Sequence, residues 1–306
     1  MLISLIVPCY NEEEALPIFY KELCAVTETI PEHRFEFLFV DDGSKDRTLQ
    51  LLTELANRDK RVKYLSFSRN FGKEAAIFAG LEVSEGACCV IMDCDLQHPP
   101  ILLPQMYRLW TEGYEVVEGV KSSRGKESFL HGLCANTFYK LISKASGIDM
   151  SEASDFKLLD RKAVDALLVL PERAPFFRAL SSWVGFKTTS LPFEVQERTI
   201  GTSKWSVWSL TKYAIQNITS FSGAPMQIVT ALGWIMFIAS VLLGIHSLYR
   251  YFTGSALEGF TTVILLQLII GSILMISLGI IGHYISKIYD EIKARPRYII
   301  NKRCGC

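Results

Sequence analysis

Between Lys212 and Arg250 the chain has no Lys, Arg, Asp or Glu, and Gly259 to Ser286 is equally free of them. Such gaps exclude an ordinary solvated surface over both stretches. Their cores, Ile228 to Leu248 and Val263 to Ile285, reach the about 20 apolar residues that a helix needs to cross hydrocarbon. Two buried core helices are the bland alternative, uncommon at this length without charge. Other absences narrow the function. Thirty-two basic residues against 32 acidic ones leave no net charge, so no basic field argues for nucleic acid. Eight cysteines include no CxxC spacing, which argues against zinc and for reduced thiols on the cytoplasmic side. There is no GxGxxG and no GxxxxGK[ST], so dinucleotide and P-loop readings fail at their signatures. The first residues, "MLISLIVPCYNEEE", turn polar too soon for a signal peptide.

What charge there is has a direction. The segment between the apolar stretches, Arg250 to Thr262, carries one Arg and one Glu, whereas Lys287, Lys293, Arg295, Arg297, Lys302 and Arg303 follow the second. The positive-inside rule places that tail, and after two crossings the N-terminal domain, on the cytoplasmic face of the plasma (inner) membrane. The expected organisation is a domain over 1–202, an interfacial linker over 203–225, spans within 226–286 (about 228–250 and 261–285) and a tail over 287–306. Trp205, Trp208 and Tyr213 with Lys204 and Lys212 suit the headgroup layer; a linker helix packed on the domain is the plainer reading.

The first 120 residues alternate. Strand-like runs "LISLIVP", "FEFLFVD", "VKYLSFS", "CCVIMD" and "YEVVEGV" are separated by helix-like stretches starting near Glu12, Asp46, Gly72 and Pro100. The expectation is an α/β fold with a mostly parallel sheet covered on both faces. Ligands then bind at the carboxyl ends of the strands. Four loops there are polar: "PCYNEEE", "DDGSKDRT", "SRNFGKEAA" and "DCDLQHPP". One such loop is a solvated turn or a cap, as Asp46 is for its helix; four on one sheet edge converge. Asp93 and Asp95 stand one residue apart, close enough to hold a hard divalent cation such as Mg²⁺ or Mn²⁺ through oxygen. Alone, the pair is equally well read as two turn aspartates.

In that order and spacing the four loops resemble the family 2 glycosyltransferases, which have the GT-A nucleotide-sugar fold. The likeness continues through "SDFKLLDR", "ERTIGTSKW", both apolar stretches and "RPRYII". Within the family the chain is most similar to the polyprenyl-phosphate glycosyltransferases, bactoprenol glucosyltransferases in particular, with dolichol-phosphate mannose synthases as relatives. The resemblance implies roles for individual residues. Pro8, Tyr10 and Glu12 with Asp41 and Asp42 would hold the uridine of a UDP-sugar donor. Asp93, Asp95 and Gln97 would bind the metal and the sugar-diphosphate, with Lys73 and Arg124 among the substrate contacts. Asp155 falls at the family's acidic position near the acceptor, and physical reasoning favours an orienting role over proton removal. Arg198, Ser203 and Lys204 lie on a loop that would close over diphosphate and acceptor phosphate, with Gly201 giving it freedom. Related sequences usually have a second basic residue after "SSRGKES", where this chain has His131 and Gly132.

The implied reaction is inverting, metal-dependent transfer of a hexose, glucose foremost, from UDP-sugar to polyprenyl (undecaprenyl) phosphate for envelope glycan modification. N-acetylglucosamine, galactose, mannose and aminoarabinose are alternatives. A processive polysaccharide synthase is excluded by the missing QxxRW and the few spans. A nucleotide-binding membrane assembly subunit without transferase activity is the alternative from another class. The resemblance also implies a homo-oligomer, a tetramer being the suggested state.

Overall fold

A computed structural model describes residues 1–123, 154–173, 175–194, 224–253 and 259–306. They fall into two units: residues 1–207 with 295–306, and residues 208–294.

The first unit is built on an eight-stranded sheet. Its strands are β1 (Leu2–Cys9), β2 (Arg34–Asp41), β3 (Val62–Phe67), β4 (Cys88–Ile91), β5 (Val116–Ser123), β6 (Lys157–Asp160), β7 (Thr188–Glu194) and β8 (Ile300–Cys304), in the spatial order β7-β5-β6-β4-β1-β2-β3-β8. β1 to β4 pair in parallel. They read as near-continuous apolar runs because helices cover both faces, and Leu5, Ile6, Val7, Phe37 and Phe39 are fully buried. Each such side chain contributes about 1.5–3 kcal/mol by leaving water. β6 runs antiparallel to both β4 and β5, and β7 is parallel to β5.

The helices are α1 (Ala15–Thr27), α2 (Thr48–Arg58), α3 (Lys73–Val83), α4 (Leu103–Thr111), α5 (Arg161–Val169) and α6 (Phe177–Trp183). α1 buries Leu16, Phe19, Leu23 and Val26, the spacing of one helical face. α3 is buried from Ala75 to Leu81. It lies so close to β1 that a Cβ on Gly80 would stand 2.4 Å from Ile6 Cγ2. The α/β expectation holds, and the five strand-like runs coincide with β1 to β5. Asp46 precedes α2 as anticipated: its Oδ1 accepts from the Thr48 amide, although the helix itself begins one residue later than a direct cap requires.

Ionic ties link neighbouring strands of this sheet. Glu36 on β2 accepts from Ser4 Oγ, from Lys63 Nζ at 2.8 Å and from the Glu85 amide at 2.8 Å. These partners pull its carboxyl below the usual range despite burial. Lys157 on β6 is wholly buried, donating to its cross-strand neighbour Glu118 and to Ser181 Oγ at 2.6 Å.

β8 comes from the tail. It pairs antiparallel with β3 and closes that edge. Just before it, Arg297 donates to the carbonyls of Leu170 and Glu172, and Tyr298 stacks on Phe67 with centroids 4.8 Å apart.

The second unit holds α7 (Ala224–Phe252) and α8 (Phe260–Ile292), which pack on each other. Both are long and apolar enough to cross a membrane, over Val229–His246 and Ile269–Ile292. Large apolar side chains such as Trp234, Ile245, Leu274 and Ile285 are exposed on them.

Candidate active site

β1 is the centre of the topology: the chain moves from β1 to β2 and β3 on one side, then returns to β4 on the other. The crevice between the carboxyl ends of β1 and β4 is a switch point, where open α/β sheets take ligands. The loops after these two strands are "PCYNEEE" and "DCDLQHPP".

The loop after β1 is stitched to the loop after β2. Asn11, at φ 56°, donates its amide to Ser44 Oγ and accepts from the Lys45 amide, both at 2.9 Å. The Glu12 amide donates to Thr48 Oγ1 at 2.9 Å and the Glu13 amide to Asp46 Oδ2 at 3.2 Å. Pro8 is half-buried at the end of β1 and Tyr10 is exposed beyond it.

Asp41 and Asp42 are both buried. Asp41 accepts from the Ser44 amide at 3.0 Å and from Ser66 Oγ at 2.7 Å. Asp42 accepts from the amides of Phe71 and Gly72. Burial raises Asp42's affinity for its proton, and those amides oppose the effect. Asp42 thus ties the loop after β2 to the loop after β3, and Asp41 ties the end of β2 to β3 itself. Gly43 makes the approach possible: it has φ +68°, and a Cβ there would lie 2.5 Å from the Arg69 carbonyl carbon.

The loop after β4 carries Asp93 and Asp95. The Asp93 amide donates to His98 Nδ1 at 3.0 Å, and His98 stacks on Phe156 with centroids 5.0 Å apart. Burial lowers the pKa of His98, so at neutral pH Nδ1 is free of a proton and serves as the acceptor. Asp95 Oδ1 accepts from the Gln97 amide at 3.1 Å. Between them Leu96 has φ 62°, a strained conformation for a branched side chain.

Four charges meet beside this loop. Lys73, the first residue of α3, places Nζ 2.6 Å from Asp93 Oδ1 and 2.8 Å from Asp155 Oδ2. Arg178 on α6 forks onto Asp155, Nε to Oδ1 at 2.7 Å and Nη2 to Oδ2 at 2.8 Å. Burial opposes charge on Asp155, but Lys73 and Arg178 outweigh it and hold its carboxyl well below the usual range. Burial opposes charge on Asp93 as well, and Lys73 lowers its carboxyl against that effect. Glu74 accepts from the Phe177 amide at 2.8 Å and is pushed up to about 7 by burial and the charge of Asp155.

Asp93, Lys73 and Asp155 therefore meet directly, with Asp95 and Gln97 on the same loop as Asp93. Arg124, Arg198, Gly201, Ser203, Lys204 and residues 203–223 of the expected linker lie outside the described residues, while residues 224 and 225 already belong to α7. Sequence reasoning missed Arg178, Glu74 and His98. Arg178 had a signal: it is the lone charge between Arg173 and Lys187. The oxygen donors of Asp93 and Asp95 suit Mg²⁺ or Mn²⁺. No group of three or more His, Cys, Asp or Glu ligands occurs among the described residues.

This sheet and its charged crevice are those of a glycosyltransferase. The family model "Glycosyl transferase family 2" matches residues 4–168. The uncharacterized glycosyltransferase YkcC of Bacillus subtilis is 41% identical over 99% of this chain and 94% of its own length. A bactoprenol glucosyl transferase of Shigella phage SfX is 39% identical over 99% of this chain and 100% of its own. A solved structure of a mycobacterial protein, 18% identical, shares the fold with a TM-score of 0.50 over 72% of this chain and 75% of its own. The chain belongs to glycosyl transferase family 2.

Proposed function

We propose that the protein transfers a hexose, glucose by likeness to its named relatives, from a UDP-sugar to polyprenyl phosphate, inverting the anomeric carbon. The observation that carries this reading is the cluster of Asp93, Lys73, Asp155 and Arg178 at the switch-point crevice. The full-length likeness to a bactoprenol glucosyl transferase supports the lipid acceptor.

An acceptor phosphate oxygen attacks the anomeric carbon, the bond from that carbon to the diphosphate oxygen breaks, and UDP departs with the electron pair. Asp93 and Asp95, with Gln97, would hold Mg²⁺ or Mn²⁺, whose positive charge would stabilise the leaving diphosphate. Pro8, Tyr10 and Glu12 would flank the uridine. Asp41 and Asp42 would shape that pocket by fixing its loops, consistent with their bonds to Ser44, Ser66, Phe71 and Gly72. Arg124, Arg198, Ser203 and Lys204 would offset phosphate charge from their loops. A phosphate monoester has a second pKa of about 6, so the acceptor is already anionic at neutral pH. Asp155, with both oxygens held by cations, is a poor base and would orient its neighbours instead.

The two apolar helices would cross the membrane, leaving the catalytic unit and both chain ends on the cytoplasmic face. The acceptor's prenyl chain would then stay in the bilayer while its phosphate reacts. Purified protein with radiolabelled UDP-glucose, Mg²⁺ and undecaprenyl phosphate should move label into a lipid extract. Label that stays in water with every UDP-hexose, while UDP still binds, would reject the lipid acceptor.

A further inference from the structure

Lys73 engages a carboxylate that the proposed reaction assigns to a metal. Its Nζ lies 2.6 Å from Oδ1 and 2.8 Å from Oδ2 of Asp93, so both oxygens face one ammonium. His98 stands 3.6 Å from Asp93 Oδ2, but as an acceptor of the Asp93 amide it brings no charge. Among the described residues, Lys73 is the charged partner of Asp93.

Asp155 is placed differently. Arg178 holds both of its oxygens from another helix, so it keeps a cationic partner if Lys73 turns away. An ammonium on a flexible four-carbon stem can make that turn, unlike a forked guanidinium. A divalent cation bound directly to the Asp93 oxygens would stand against the Lys73 ammonium, and like charges at that range repel strongly. Lysine and metal are alternatives at Asp93.

We propose that Lys73 is a resident counter-ion that competes with the divalent cation for Asp93. In the absence of nucleotide it keeps Asp93 neutralised and the cation site weak. With the diphosphate present, its negative charge draws the cation in and offers the displaced ammonium a new partner. This inference rests on the reading of Asp93 and Asp95 as metal ligands. The plainer role, an ion pair that merely anchors the start of α3, makes the opposite prediction: its loss would loosen the site and weaken metal binding.

Mn²⁺ titration of the full chain in lipid nanodiscs, followed by loss of the free-ion paramagnetic resonance signal, separates the two. Without nucleotide, Lys73→Met and Lys73→Gln should each bind Mn²⁺ at least tenfold more tightly than the original protein. Lys73→Arg, which keeps the charge, should not. A cooperative thermal unfolding transition near that of the original protein reports that each variant is folded. If either neutral variant is folded yet takes Mn²⁺ no more tightly, the competition is refuted, while Mn²⁺ uptake with UDP leaves the metal reading standing. If the original protein takes up no Mn²⁺ beyond that held by UDP alone, the metal reading falls and this inference with it.

Discussion

The molecule holds two clusters of charge that nearly touch along the chain. Asp155 stands just before β6 and Lys157 opens it, yet they belong to different networks. Lys157 is wholly buried and closes on Glu118 and Ser181. Asp155 joins Lys73, Arg178 and Asp93, whose side chains are 38%, 29% and 25% exposed. The inner cluster pairs one cation with one carboxylate between neighbouring strands. The outer one gathers Asp93, Asp155 and Glu74 around two cations, beside loops that a ligand can reach. A closed pair of charges fixes a sheet; an open cluster with surplus acid is available for chemistry.

Breaking one side at a time sharpens the contrast. The largest stability loss should come from Lys157→Ala, which strands Glu118 in the core at a cost of about 3–5 kcal/mol. Thermal unfolding of the full chain in detergent measures it. The double change Lys157→Met/Glu118→Leu should recover most of that loss, since an apolar pair replaces the ionic one. Asp155→Asn should act on turnover instead. A bond to a charged group contributes about 1.5–3 kcal/mol, so kcat should fall by roughly 10- to 100-fold, with UDP binding retained. Complete loss of turnover with binding intact would return Asp155 to the role of a base.

The outer cluster also predicts a pH response. Glu74's folded value is raised to about 7 from an ordinary 4.5. The stability this neutral form contributes is fully present below the ordinary value and is lost as pH rises through about 7. Glu74→Gln, which can still accept from Phe177, should remove that decline, on the order of 1–2 kcal/mol after solvent screening. Unfolding midpoints of both proteins between pH 5 and about 8 give the comparison, and parallel curves would contradict it.

The inner cluster was less legible in the sequence than the outer. Strands β1 to β5 announce themselves as apolar runs broken by polar loops, and the acidic pair at Asp93 and Asp95 marks its own loop. Nothing local tells that Lys157 faces inward, because its partners Glu118 and Ser181 lie 39 and 24 residues away. Arg178 reaches Asp155 across 23 residues for the same reason. β8 was hidden differently. Its "INKRC" has little strand propensity, and it is held by pairing with β3 rather than by an apolar face. Asp41 and Asp42 illustrate a further limit: a polar loop signals a site, but not whether its carboxylates face a ligand or their own backbone.

One measurement bears most directly on the assignment of chemistry to the outer cluster. In nanodiscs containing undecaprenyl phosphate, Asp93→Asn/Asp95→Asn should unfold at nearly the temperature of the original protein. Its transfer of hexose to lipid should fall by at least about 10²–10³-fold, the scale of lost electrostatic stabilisation. Transfer at an undiminished rate by this folded variant would contradict the account.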